Sequence, residues 1–424
     1  VYDSSIVERR LSQAKKAGFK YTRLPRDRSV DTAAAIHRLS LDQNGLPIPD
    51  GKLSRSLSRP EEEFIASELL ICKCDFLYWV ERYAHIEIDP GVGTDPSGAM
   101  DINKIGPTLY LPSQRRFLQL VGRREAECHA EKRQYGFTEG IRIYAHKVRQ
   151  VCITTTWLQM MLHRMLFWTG TRAHAASLDD KRTGELFKRY HIMLDHLPFW
   201  MKPDVYPDVK DTEIGFRPPL SSRLSFEKEN AETGIGTGSQ NDISGLTEVA
   251  LWMHPYQIRY SFVPSIPKAI TTLHVQESTS NVKGDYWNEV TESARHKRRG
   301  YETWVYCFIP WYMNFMKYRA NVPDSWTPEE HTQKHADLIE RTSPEWFDGQ
   351  TIHPTRSQLY WWETTRAEAA HNGELAGFLA SYPATPEQSF QNVNQGALPV
   401  ELIEAMEQEV VSGSPYELEL AAQE

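Results

Sequence analysis

Residues 146–156 read HKVRQVCITTT, between the apolar run IRIYA (141–145) and the helix-like WLQMMLHRMLFW (157–168). A strand, a short basic turn and a helix opened by threonines is the layout of a phosphate-binding loop. The common form, G-x-x-x-x-G-K-[ST], fails at three of its four fixed positions. Lys147 stands at the first glycine, Cys152 at the second and Ile153 at the lysine, so only Thr154 fits. The chemistry asks for backbone N–H groups around phosphate, a cation on its oxygens and a hydroxyl for Mg²⁺. Thr154 opens a helix, where N–H groups and the dipole favour an anion, and Thr155 adds a second hydroxyl. Lys147 and Arg149 bring charge from the front of the loop, so the cation need not sit at position 153. From this stretch alone, a basic surface turn between strand and helix remains the alternative.

The surroundings set the scale. A chain of 424 residues, 40% hydrophobic, has room for two domains or one large α/β domain with extensions. A net charge of -8 argues against a surface coated all over by nucleic acid. Charge is uneven: residues 1–60 hold twelve Lys/Arg against six Asp/Glu, and 401–424 hold seven Glu without a base. Five cysteines without paired C-x-x-C spacing fit neither a zinc site nor a disulfide framework. The richest apolar run, LLICKCDFLYWV, is broken by Lys73 and Asp75, and no stretch reaches the roughly 18 apolar residues of a membrane span.

Residues 1–60 read as a peripheral arm with short helices. Residues 61–87 read as one buried helix, with Phe64, Leu69, Phe76, Trp79 and Tyr83 at three- to five-residue intervals and three glutamates at its start. The Gly/Pro/Asp loop at 89–101 is a candidate boundary. From about 106, short apolar runs alternate with amphipathic helices, the α/β pattern. Strands are expected at 141–145, 172–178, 223–227, 244–252, 271–279 and 303–311, and helices at 154–168 and 182–197. Beyond 312 the texture is helical and linker-like.

Three further segments could serve the loop. SGLTEVALW (244–252) offers Glu248 as a general base and Thr247 as a hydroxyl near a metal; VQESTSN (275–281) ends a strand with hydroxyls and an amide; YLPSQRRFLQL (110–120) carries Gln114, which could read an adenine edge. Each alone is commonplace.

In this order, however, the segments resemble the ATPase domain of the large terminase subunit of tailed double-stranded DNA phages, over roughly 106–395. That family's loop reads K-x-R-Q-x-G-x-[ST]-T, matched by Lys147, Arg149, Gln150, Thr154 and Thr155. Its S-E-V-A segment is matched with Thr247 for Ser, and its E-S-T-A-N by Glu277, Ser278, Thr279 and Asn281. F-I-P-W-[FY] occurs at 308–312 and Y-P-x-T-P-E-x-x-F at 382–390. The resemblance implies a P-loop NTPase of the additional-strand, catalytic-glutamate type, with a mostly parallel sheet between helices. It implies ATP and Mg²⁺ as cofactors. Gln114 would contact adenine and Lys147 the phosphates, with Gln150, Cys152 and Thr155 in the loop around them. Arg149 would sense the γ-phosphate or act as an in-cis finger, and Thr154 with Thr247 would attend the metal. Glu248 would polarise the attacking water, and Ser278 and Thr279 would couple hydrolysis to movement.

The implied organisation is an N-terminal arm and helical extension (1–105), an ATPase core (106–311) and a helical lid or linker (312–424). The implied function is ATP-driven translocation of double-stranded DNA into a viral procapsid in the host cytoplasm. Its partners would be the portal protein, a small terminase subunit and further copies of the chain in a ring, with no membrane. Two departures stand out. Cys152 replaces a glycine whose backbone would tolerate positive φ. GTGSQ (236–240) replaces a basic Gly-Arg-Gly, leaving ARHKRRG (294–300) as another source of a neighbour's arginine. No acidic constellation on a fresh α/β pattern follows the linker, so the family's nuclease is not expected from these residues. The alternatives are a helicase-like DNA-dependent ATPase, which would need a second motor domain, and a degenerate scaffold that binds DNA or portal without hydrolysis.

Overall fold

The strand that feeds HKVRQVCITTT lies inside a seven-stranded sheet. The structure is a computed structural model that describes residues 4–87, 105–108, 110–206, 212–230, 235 and 240–390. The 89–101 loop, most of GTGSQ and the acidic tail lie outside the described residues. Helices α1 (Ser4–Lys16), α2 (Arg26–His37), α3 (Arg59–Cys74) and α4 (Phe76–Tyr83) come first, followed by strands β1 (His85–Glu87) and β2 (Ile105–Pro107). Next are α5 (Pro112–Tyr135), β3 (Ile141–Lys147), α6 (Ile153–Phe167), β4 (Arg172–Ser177) and α7 (Asp180–Asp195). The chain continues through β5 (Glu213–Gly215), β6 (Arg223–Lys228), β7 (Ile243–Thr247), β8 (Leu273–Ser278), α8 (Tyr286–Arg295) and β9 (Trp304–Ile309). Three helices follow: α9 (Glu330–Trp346), α10 (Arg356–His371) and α11 (Leu375–Ser381).

The sheet order is β5-β6-β4-β7-β8-β3-β9, parallel throughout except for β5, which pairs antiparallel with β6. This is a mixed α/β fold with a mostly parallel sheet between helices. On one face α5, α6 and α7 pack against the strands. Ile141, Ile143 and Ala145 of β3 point to that side and join a core with Trp157, Met161 and Met165 of α6. Tyr144, one residue out of phase, points to the other face, where it stacks on Trp304 in a smaller cluster with Trp287 of α8. Helix α6 is buried nearly all round, because α4, α5 and α7 enclose it as well as the sheet. Gly245 of β7 makes that contact close: a Cβ there would stand 2.5 Å from the Trp157 ring.

Several expectations change. The helix expected over 61–87 is two helices. Asp75 takes an extended conformation and its carboxylate accepts from the Tyr78 N–H, so it caps α4 and ends α3. Tyr83 is the last helical residue, and His85–Glu87 form a strand with β2. The strand expected over 244–252 stops at Thr247, where Glu248 turns left-handed into a short 3₁₀ turn at Val249–Leu251. The 1–60 arm is not wholly peripheral, since Val7, Leu11 and Ala33 enter the main core. Residues past 312 also reach that core through Tyr318, Ile339, Trp362 and Phe378.

Candidate functional site

The carboxyl ends of β3, β8 and β7 bring the sequence-predicted residues together. Strand β8 lies between the strand that carries the loop and the strand that carries Glu248. Thr247 is in register with Glu277, and Glu277 with Ala145. Register partners in a sheet share a face, and so do residues two apart on one strand. Thr247, Glu277 and Lys147 therefore face the same side, toward α6.

Their contacts follow from that placement. The Lys147 ammonium donates to Glu248 Oε1 at 3.4 Å and stands 4.0 Å from Glu277 Oε2. Burial opposes the charge on Lys147, but Glu277 and then Glu248 outweigh it, so its pKa is raised and the side chain is a cation. Thr154 donates its hydroxyl proton to Glu277 Oε1. Glu277 is fully buried, and its second oxygen, Oε2, accepts no hydrogen bond among the described residues. Thr155 is half-buried on the first turn of α6, and Arg149 stands exposed at the front of the loop.

The backbone here is strained. Among the described residues six non-glycines have positive φ, and three of them, Gln150 (58°), Cys152 (59°) and Glu248 (58°), lie at this site. Left-handed non-glycine residues cost about 1–3 kcal/mol each and persist only where their surroundings hold them. The holding groups are visible. Tyr318 donates to the Arg149 carbonyl at 2.5 Å and Asn314 to the Gln150 carbonyl at 2.7 Å. Ser113 donates to the Val151 carbonyl at 3.2 Å. On the other turn the Ala250 N–H donates to Ser278 Oγ at 3.0 Å, and Asn281 donates to the Ala250 carbonyl at 3.2 Å. Cys152 thus keeps the turn that a glycine would make, with its side chain outward.

Gln114 sits behind the loop, buried. Its amide donates to Thr156 Oγ1 at 2.9 Å and its carbonyl accepts from the Leu111 N–H at 3.1 Å, so it ties α5 to the start of α6. Thr279 is half-buried just past β8. The basic run 294–300 is at the other end of the sheet. Arg298 and Arg299 are exposed in the turn that leads to Trp304, which pairs with Arg142 at the amino end of β3. Arg295 is occupied by Glu292, Glu345 and Glu387.

Beside the loop, a cavity of about 520 Å³ is walled by Lys147, Arg149, Thr279, Asn281, Ala380 and neighbours. Its walls include Lys147 and Arg149 but not Thr154, Glu248 or Glu277. At its edge His146 shares hydrogen bonds with Ser280 (2.6 Å), Ser389 (2.9 Å) and Tyr306 (3.0 Å). Burial, with Arg295 second, lowers this imidazole to about 3, so it is neutral. No group of three His, Cys, Asp or Glu suited to a metal occurs among the described residues. No helix there is long and apolar enough to cross a membrane.

The residue that sequence reading undervalued is Glu277. It was visible as the first letter of the E-S-T-x-N match, but its contact with Thr154 depends on strand register. The available signal was Thr247, a neutral side chain beside Glu248 where a metal-handling site would favour an acid.

No protein-family profile matches the sequence, and no curated protein matches it. Among solved structures, the chain is similar to the HK97 bacteriophage large terminase, with 15% identity and a TM-score of 0.43, over 74% of this chain and 53% of that one. It is also similar to the ATPase domain of the Thermus phage P74-26 large terminase, with 13% identity and a TM-score of 0.33, over 51% of this chain and 95% of that domain. The chain spans about half the length of the HK97 protein.

Proposed function

We propose that this chain is the ATP-hydrolysing motor subunit of a DNA-packaging machine, with a P-loop fold of the additional-strand, catalytic-glutamate type. The observation that carries the reading is the meeting of Lys147 with Glu248, and of Thr154 with Glu277, across the carboxyl ends of β3, β8 and β7, beside a loop whose sequence resembles the terminase pattern. Lys147 and Arg149 supply cationic charge for the triphosphate, and the N–H groups that open α6 supply donors. The Thr154 hydroxyl supplies an oxygen for Mg²⁺, and Thr247 stands on the same face of the sheet as Glu277, its register partner. A bound Mg²⁺ neutralises charge on the phosphate oxygens. Glu248, about a quarter exposed, orients water and takes its proton. Ser278 and Asn281 hold the turn that follows Glu248, so a change at that turn is felt along 278–281. Translocation of double-stranded DNA, docking on a portal, a small-subunit partner and assembly into a ring in the host cytoplasm belong to the same proposal.

The test is steady-state ATP hydrolysis with and without double-stranded DNA. Wild type should turn over faster with DNA, and Glu248→Gln should lose roughly 10²-fold or more in turnover while still binding nucleotide. Unchanged turnover in Glu248→Gln would remove Glu248 as the base. A wild type that binds DNA but never hydrolyses ATP would favour a scaffold.

A further inference from the structure

We infer that Glu277 of β8 is the acid that secures the metal, a task for which β7 offers only the neutral Thr247. The inference rests on the ATPase reading and adds a residue to its site. Three observations converge on it.

The first is the direction of the Thr154 hydrogen bond. Its hydroxyl proton goes to Glu277 Oε1, which leaves the lone pairs of the threonine oxygen free to face a cation. A threonine that ligates Mg²⁺ needs its proton held away from the metal in this manner. The second is the orphan oxygen. Glu277 is fully buried, yet Oε2 accepts no hydrogen bond among the described residues and has Lys147 at 4.0 Å as its cation. A buried carboxylate is costly unless a positive charge or donors meet it.

The third is charge sharing. One ammonium, Lys147, serves two carboxylates, Glu248 at 3.4 Å and Glu277 at 4.0 Å. A triphosphate that draws on Lys147 leaves Glu277 short of positive charge, and a divalent cation beside Thr154 restores it. Mg²⁺ keeps several waters and needs one or two carboxylates besides phosphate, so a single acid suffices. Register explains how the acid can change strands: Thr247 and Glu277 are direct neighbours on the same face, so the carboxylate reaches the same space from β8.

The experiment is calorimetric titration of ATP into the protein, in Mg²⁺ and in EDTA, so that the readout is metal-dependent affinity. Wild type should bind more tightly with Mg²⁺. Glu277→Gln keeps the shape and an acceptor for Thr154; it should retain binding in EDTA and lose about tenfold or more of the Mg²⁺ enhancement. Adding Thr247→Asp to Glu277→Gln returns an acid to the same face and should restore part of the enhancement. That rescue separates a metal role from a structural one, which a new aspartate on β7 would not repair. Full Mg²⁺ enhancement in Glu277→Gln would overturn the inference and leave the ATPase reading standing. A wild type that binds no ATP in either buffer would overturn both.

Discussion

The two faces of β8 differ in how their buried polar groups are treated. On the face toward α8, His274 Nδ1 is hydrogen-bonded to Ser244 at 2.7 Å and its Nε2 to Gln276 at 3.0 Å. Gln276 in turn accepts from the Tyr286 hydroxyl at 3.2 Å, and Ser278 accepts from Ala250. On the face toward α6, Leu273 and Val275 are plain core, and then the Glu277 carboxyl has one oxygen that accepts no hydrogen bond among the described residues. A buried polar group with its partners in place contributes specificity and rigidity. One left short is held at a cost that packing alone does not explain. The contrast separates structural polarity from polarity that awaits a ligand, within six consecutive residues.

The contrast breaks most readily at Gln276. Gln276→Leu strands His274 Nε2 and removes one partner of the Tyr286 hydroxyl, which keeps Tyr144, and should cost about 2 kcal/mol of stability. Chemical denaturation measures the loss, and the Mg²⁺ enhancement of ATP binding should persist in the folded variant. A stability loss no greater than that of Glu277→Gln would erase the difference between the faces. A smaller effect is expected at the loop. Cys152→Gly relieves a left-handed side-chain conformation worth roughly 1 kcal/mol, offset in part by the added freedom of the unfolded chain. Nucleotide affinity should rise by a few-fold at most on that scale. A marked fall in affinity would mean that the cysteine side chain contributes to the site.

Much of the sheet was legible in the sequence. IRIYA, RLSFE and TWVYCFIPW are short apolar or alternating runs bounded by breakers, and each holds a strand near its expected place. SGLTEVALW misled because Val249–Trp252 looks like the rest of a buried strand. The backbone turns at Glu248 instead, and Val249, Ala250 and Trp252 pack in the smaller cluster while Leu251 is exposed. The 61–87 segment misled because side-chain periodicity continues across a one-residue break at Asp75, which only its capping bond reveals. Strands β1, β2 and β5 have three residues each, too few for a period to show.

The site was legible in part. Lys147 and Thr154 stand out because loop chemistry restricts residue types at short spacings, and Glu248 stands out only through the ordered match of its T-E-V-A segment. Glu277 lies 123 residues from Thr154, and nothing local announces a pairing set by strand order. Gln114 is a polar residue in an apolar segment that could read as a ligand contact; the structure commits its amide to Leu111 and Thr156.

The central claim is that the displaced lysine of HKVRQVCITTT serves a nucleotide. Titrating ATP with Mg²⁺ into wild type and Lys147→Ala tests it directly. A charge-assisted contact of this kind is worth about 1.5–3 kcal/mol, so the variant should bind roughly 10- to 100-fold more weakly. Equal affinity in the two proteins, with the fold intact, would contradict the account.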